Sequence, residues 1–121
     1  MKASILIVDD DKDIREILRD VLEEEGYAIV EATNGVEALS SLRGDVLPRV
    51  ILLDLMMPVM DGQEFRKAQL ADPRIAGIPV IVFTADANAK QKADRLAAAD
   101  AFGKPVRLDD LIGSVARICR S

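Results

Sequence analysis

Short apolar runs alternate with helically spaced apolar positions from one end of the chain to the other. The runs are Ile5 to Val8, Ala28 to Ala32, Val50 to Leu53, Val80 to Phe83 and a weaker Ala101 to Phe102. This alternation predicts a parallel sheet with covering helices rather than a set of hairpins. Between the first two runs, Ile14, Ile17, Leu18, Val21 and Leu22 mark a helix, with Asp11 or Asp13 as its cap and Gly26 as its stop. Val36, Leu39 and Leu42 mark a second after the turn Thr33-Asn34-Gly35. Asp61-Gly62 opens a third that carries Phe65 and ends before Pro73, and Leu108, Leu111, Ile112 and Val115 mark the last. The stretch from Ala87 to Ala98 reads as a fourth helix whose buried side is mostly alanine, with Leu96 its single large apolar residue. So little area holds it down weakly, which fits either a thin patch of a small domain or an element that moves.

The pattern sums to an α/β fold: a three-layer, doubly wound, five-stranded parallel sheet. The strand order 2-1-3-4-5 places the runs richest in Ile, Val and Leu centrally and leaves the polar second and short fifth at the edges. A length of 121 residues, half of them hydrophobic, predicts one domain over residues 1–121 with one core.

Charge and composition narrow the chemistry. The net charge is -5, and the 16 basic residues are scattered among 21 acidic ones, so no clustered patch for direct DNA or RNA binding is expected. Neither a signal-peptide pattern nor an apolar run approaching about 18 residues is present, and the single cysteine, Cys119, has no internal partner. The expectation is a cytoplasmic protein that does not enter the membrane. The chain has no histidine, which removes Ser-His-Asp hydrolysis, His-ligated zinc and histidine phosphocarriers together. What remains are carboxylates, hydroxyls and lysines.

In open parallel sheets ligands bind beyond the carboxyl ends of the strands. There the first run ends in Asp9, Asp10 and Asp11, the third in Asp54, the fourth in Thr84, and Lys104-Pro105 follows the fifth. Singly, each has an ordinary explanation as a helix cap, a turn residue or a solvated side chain. Together they bring two or three carboxylates to neighbouring strand ends, where repulsion in a partly desolvated notch costs several kcal/mol unless a cation compensates it. Magnesium prefers oxygen ligands and suits Asp10 and Asp54 with Asp9 in support. Lys104 adds a positive charge and Thr84 a hydroxyl, so the set fits a phosphoryl dianion. Asp54 is the nucleophile candidate, because it leaves the proposed central strand between the acidic cluster and Thr84.

At this point the residues resemble the receiver domains of two-component response regulators, the chemotaxis-type single-domain receivers among them, whose sheet is flavodoxin-like. Asp54-Leu-Met-Met-Pro-Val-Met-Asp-Gly62 looks like the family's phosphoacceptor loop, with Val59 where glycine is more common. Asp9-Asp10, Thr84-Ala85 and Lys104-Pro105 follow in the family's order. The resemblance implies that Asp54 accepts a phosphoryl group from a histidine kinase or histidine phosphotransfer protein. It implies a Mg2+ site built from Asp9, Asp10, Asp54 and the backbone carbonyl of Met56, and a cis Lys104-Pro105 peptide. Thr84 and Lys104 would draw toward the phosphoryl group, and the output would be a changed surface at the fourth helix, fifth strand and fifth helix. Met56 and Asp86 occupy positions where the family tunes its own dephosphorylation.

One departure concerns the family's aromatic, usually three residues before the lysine. Here that position is Ala101 and the aromatic is Phe102. Either a local kink keeps Phe102 as a moving switch residue beside Thr84 and Pro105, or its ring is core packing and Thr84 reaches the surface differently, since a one-residue slip turns a strand side chain to the opposite face. The competing functions are a constitutive, unphosphorylated binding module, a small Mg-dependent phosphohydrolase, and a flavin-binding protein for which no phosphate loop follows the first strand. Arg15 and Arg19 read as a solvated helix face near where family members meet their kinases. Met57 and Met60 read as gap filling. The downstream target is unidentified by sequence, and both a monomer and a phosphorylation-dependent homodimer fit.

Overall fold

The computed structural model describes residues 3–120. Strands β1 (Ser4–Val8), β2 (Ala28–Ala32), β3 (Val50–Asp54), β4 (Val80–Thr84) and β5 (Asp100–Gly103) alternate with helices α1 (Lys12–Glu24), α2 (Gly35–Ser41), α3 (Gly62–Leu70), α4 (Ala89–Arg95) and α5 (Leu108–Arg120). Every strand pair is parallel and the order is β2-β1-β3-β4-β5, the order the polarity of the runs predicts. No helix among the described residues is long and apolar enough to cross a membrane.

The near-continuous apolar runs are explained by burial on both faces. Ile5, Ile7, Val50, Leu52, Ile81 and Phe83 pack against Leu18 and Leu22 of α1 and Leu111 and Val115 of α5. Their alternate neighbours Leu6, Val8, Ile51, Leu53, Val80 and Val82 pack against Ala38, Leu42, Phe65 and Ala93 on the side of α2, α3 and α4. All residues of β3 and β4 are buried, whereas edge strand β2 alternates exposed and covered positions. Each Leu-sized side chain so buried contributes about 1.5–3 kcal/mol, which makes the central strands the firmest part of the frame.

Helix starts follow local hydrogen bonding. Asp11 caps α1 by accepting from Asp13 N and Ile14 N, Asn34 caps α2 through Glu37 N, and Asp61 and Glu64 form a reciprocal capping box on α3. Two predicted faces are corrected. Ile17 and Val36 are half exposed, and α2 buries Gly35 and Ala38, with Leu42 buried at its C-cap, instead of the stripe Val36, Leu39, Leu42. Positions three apart drift by about 60° around a helix, so such a stripe cannot all face one sheet. Met57 and Met60 do fill gaps, Met57 buried beside Leu55 and Met60 over Gly35.

Helix α4 is shorter than predicted and buries only Ala89 and Ala93. Its C-terminal end is tied to α3 by Arg66, a residue with no signal in the hydrophobic pattern. Arg66 is buried and donates to Leu96 O at 2.9 Å, Ala97 O at 3.1 Å and Gln69 Oε1 at 2.7 Å. Carbonyls left unpaired at a helix end thereby satisfy a buried guanidinium.

Val59 holds a left-handed backbone (φ 68°) with an 80% exposed side chain. A β-branched residue there is strained. Val59→Gly is expected to raise stability by about 0.5–1 kcal/mol in urea unfolding, the relief of strain exceeding glycine's extra unfolded-state entropy; a loss of stability would contradict the strain.

Candidate phosphoacceptor site

The parallel register aligns the strand ends. Val8 pairs with Leu53, Asp54 with Phe83, and Thr84 with Gly103, so the residues that follow emerge along one edge of the sheet. Asp9, Asp54 and Thr84 are all buried there, and Asp10 is exposed. The carboxylate oxygens of Asp9, Asp10 and Asp54 lie within 4.8 Å of one another. Lys104 reaches into the cluster, with Nζ 3.0 Å from Asp9 Oδ2 and 3.3 Å from Asp54 Oδ2, and 5.2 Å from the centroid of the Phe83 ring. Its backbone N–H donates to Thr84 O at 2.9 Å, and the Lys104-Pro105 peptide is cis. Pro105 lines an apolar cleft of about 560 Å³ beside Lys104, together with Ile14, Ile17, Val106 and Leu108.

Each acid is oriented by the backbone. Asp9 Oδ1 accepts from Asp11 N at 2.9 Å, and Asp54 Oδ1 accepts from Met56 N at 3.2 Å. Gly62 lets α3 approach this loop: a Cβ there would lie 2.4 Å from Asp54 O and 2.7 Å from Leu55 Cα. Met56 itself is 62% exposed and borders, with Asp10, Asp61, Gln63 and Lys92, an open cavity beside the cluster.

Burial pushes the Asp54 carboxyl up to about 6, and the charge of Asp9 adds to that, while the Met56 N–H and Lys104 pull the other way. For Lys104, burial works against the charged form, but hydrogen bonding to Asp9 and the charges of Asp54 and Asp9 outweigh it and hold the ammonium above its ordinary value. The three acids offer only oxygen donors, one of them facing open space, which is a donor set suited to a hard divalent cation that keeps several waters. The structure therefore fits Mg2+ at Asp9, Asp10 and Asp54.

A folded-state value near 6 against an ordinary 3.8 means the unfolded chain binds fewer protons at Asp54 between these values. Stability accordingly falls as pH rises through that window, and ionised Asp54 costs the metal-free fold about 1–3 kcal/mol at pH 7. Asp54→Asn is expected to be more stable than the parent by that amount at pH 7 and equal to it below about pH 4, read by thermal unfolding in chelator. A variant no more stable at pH 7 would refute the buried charge.

The structure thus brings Asp9, Asp10, Asp54, Met56, Thr84, Lys104 and Pro105 to one sheet edge. Phe102 does not join them. It pairs with Phe83 and packs with the α1 and α5 cluster, whereas Ala101 packs on the α4 side, so the placement matches the core-packing alternative for the ring. Arg15 is corrected from a solvated side chain: its guanidinium donates to Asp9 O at 2.7 Å and pairs with Glu31 at 3.1 Å. The sequence reading also missed the pairing of Asp86 with Lys92 at 2.6 Å. Spacing around α1 and α4 places these cations near acids from other elements, but only the packed sheet reveals which ones.

Comparison with known proteins agrees with this geometry. The family model described as "Response regulator receiver domain" matches residues 5–116. Sporulation initiation phosphotransferase F of Bacillus subtilis is 36% identical over 118 residues, covering 95% of this chain and 92% of that protein. Response regulator MprA of Mycobacterium tuberculosis is 37% identical over 99% of this chain, which spans 52% of MprA's length. Among solved structures, the chemotaxis response regulator CheY4 of Vibrio cholerae is similar with a TM-score of 0.86 and 30% identity, covering 98% of this chain and 99% of that one. A response regulator receiver protein from Pseudomonas putida gives a TM-score of 0.88 at 28% identity, covering 97% of this chain and 98% of that one. From its doubly wound sheet, its acid cluster and these relatives, the chain belongs to the receiver domains of two-component response regulators.

Proposed function

We propose that this chain is a Mg2+-dependent phosphoacceptor switch and that Asp54 is the residue phosphorylated. The observation that carries the reading is the convergence of Asp9, Asp10, Asp54 and Lys104 on one point, with buried Thr84 on the neighbouring strand end. A carboxylate oxygen of Asp54 attacks the phosphorus of a phosphohistidine on a histidine kinase or histidine phosphotransfer protein. The P–N bond breaks as the new P–O bond forms, and the leaving imidazole nitrogen keeps the electron pair. Lys104 then exchanges part of its contact with Asp9 for a phosphoryl oxygen, and the Thr84 hydroxyl donates to another. Asp9, Asp10, Asp54 and the backbone carbonyl of Met56 would hold Mg2+, which when bound would supply positive charge to offset that developing on the transferred group. The name of the Bacillus subtilis relative, a phosphotransferase, is consistent with such transfer.

The chain acts here as a signalling domain that assists its own phosphorylation and dephosphorylation rather than as a classical enzyme. Its output is a protein contact at α4, β5 and α5, in the cytoplasm, by a monomer or a phosphorylation-dependent homodimer. We read residues 1–121 as one receiver domain, either free-standing or one piece of a longer regulator.

The test is intact mass after incubation with an acyl phosphate and Mg2+. One phosphoryl adduct is expected on the parent and none on Asp54→Ala or in excess chelator. Unchanged labelling of the variant would overturn the assignment. Steady hydrolysis of the donor without an adduct would favour a phosphohydrolase.

A further inference from the structure

Thr84 Oγ1 accepts a hydrogen bond from Asp86 N at 3.3 Å. The Asp86 carboxylate extends the line: one oxygen accepts from Asn88 N at 2.8 Å, and the other bonds Lys92 Nζ at 2.6 Å. Lys92 sits in the middle of α4, and both members of the pair are largely shielded, at 30% and 25% exposure. On the β5 side Thr84 has no comparable partner. Its register neighbour is Gly103, the ring of Phe102 lies with Phe83 on the opposite face, and the β5 side chain on the α4 side is only the methyl of Ala101.

Helix α4 is lightly held. Arg66 secures its C-terminal end, but Asn88 makes no side-chain cap bond at the other end and only two alanines are buried between. The Asp86–Lys92 pair is therefore a main polar tie at the end of α4 nearer the site.

We infer that Asp86 and Lys92 couple the hydroxyl of Thr84 to the N-terminal half of α4, with Lys92 acting as a positioning residue. The inference rests on the phosphoacceptor reading of Asp54 and names how that site reaches the surface. By accepting from Asp86 N, Thr84 Oγ1 keeps its own proton free for another acceptor, which in that reading is a phosphoryl oxygen. The bond to Asp86 N is already just beyond the usual N–H···O range, so a shift of Oγ1 toward Asp54 either draws Asp86 along or breaks the bond. If Asp86 follows, its carboxylate carries the pair with Lys92 along, and the N-terminal half of α4 has little else to hold it in place; if the bond breaks, the segment leading into α4 loses its tie to Thr84.

Amide hydrogen exchange across residues 86–93, with and without phosphorylation by an acyl phosphate and Mg2+, tests this, with adduct formation read by intact mass in the same samples. The parent is expected to change exchange by about threefold or more in this segment on phosphorylation. Lys92→Met is expected to form the adduct yet lose most of that change, and the charge swap Asp86→Lys with Lys92→Asp to recover part of it. Phe102→Leu is expected to keep the response. A purely structural role for Lys92 would raise exchange equally in both states and leave the difference intact, which overturns the coupling. A full response in Lys92→Met, or its loss in Phe102→Leu, also overturns it. An adduct on the parent without any change in α4 refutes the coupling alone, whereas no adduct on the parent refutes the phosphoacceptor reading and the coupling with it.

Discussion

Lys104→Met is expected to destabilise the metal-free protein by about 2–4 kcal/mol in urea unfolding at pH 7. Among the described residues, Lys104 is the cation paired with both buried carboxylates, 3.0 Å from Asp9 and 3.3 Å from Asp54. Removing one member of a buried cluster leaves the others desolvated and unpaired, which costs more than the pairing itself contributes. Asp54 limits the loss, because a carboxyl already pushed up to about 6 takes a proton more readily than an ordinary one. The variant is also expected to gain more stability than the parent from saturating Mg2+, since a dication among Asp9, Asp10 and Asp54 replaces the missing charge. An unfolding midpoint equal to the parent's in chelator would show that Lys104 does not compensate the acids.

Gly62→Ala is expected to cost about 2–4 kcal/mol and to suppress phosphorylation in the molecules that remain folded. The added methyl would meet Asp54 O at 2.4 Å and Leu55 Cα at 2.7 Å, and both are backbone atoms that cannot rotate away. Relief requires α3 to retreat from β3, which disturbs the bond from Gly62 N to Leu55 O and the loop that aims Asp54. Gly44 and Gly77, where a Cβ meets nothing within 4 Å, are suitable controls. Wild-type stability and labelling in Gly62→Ala would mean that the loop does not depend on this close approach.

Much of the fold was legible because the sheet is buried on both faces, so its strands stand out as apolar runs and its helices as amphipathic ones. The acid cluster was legible for a related reason. Strand ends in a parallel sheet share one edge, so Asp9, Asp54, Thr84 and Lys104 could be placed together from their positions after the runs. What escaped the sequence was tertiary and polar. Arg15 looked like any charged residue on a helix, yet its guanidinium braces the carbonyl of Asp9. Arg66 carries no hydrophobic signal, yet it ties α3 to the end of α4. Ile17 and Val36 looked like core residues because helical spacing alone does not reveal how wide a face the sheet covers. The direction of the Phe102 ring depended on register, which only the pairing of Phe83 with Phe102 supplies.

The most direct test of the central claim is to locate the phosphoryl group. The protein is phosphorylated with an acyl phosphate and Mg2+, the acyl phosphate on the protein is reduced with borohydride to convert the modified aspartate to homoserine, and the peptides are sequenced by mass spectrometry. Homoserine at position 54, with Asp9, Asp10 and Asp86 unmodified, is the predicted result. Homoserine at another aspartate, or phosphate retained on a serine or threonine, would contradict it.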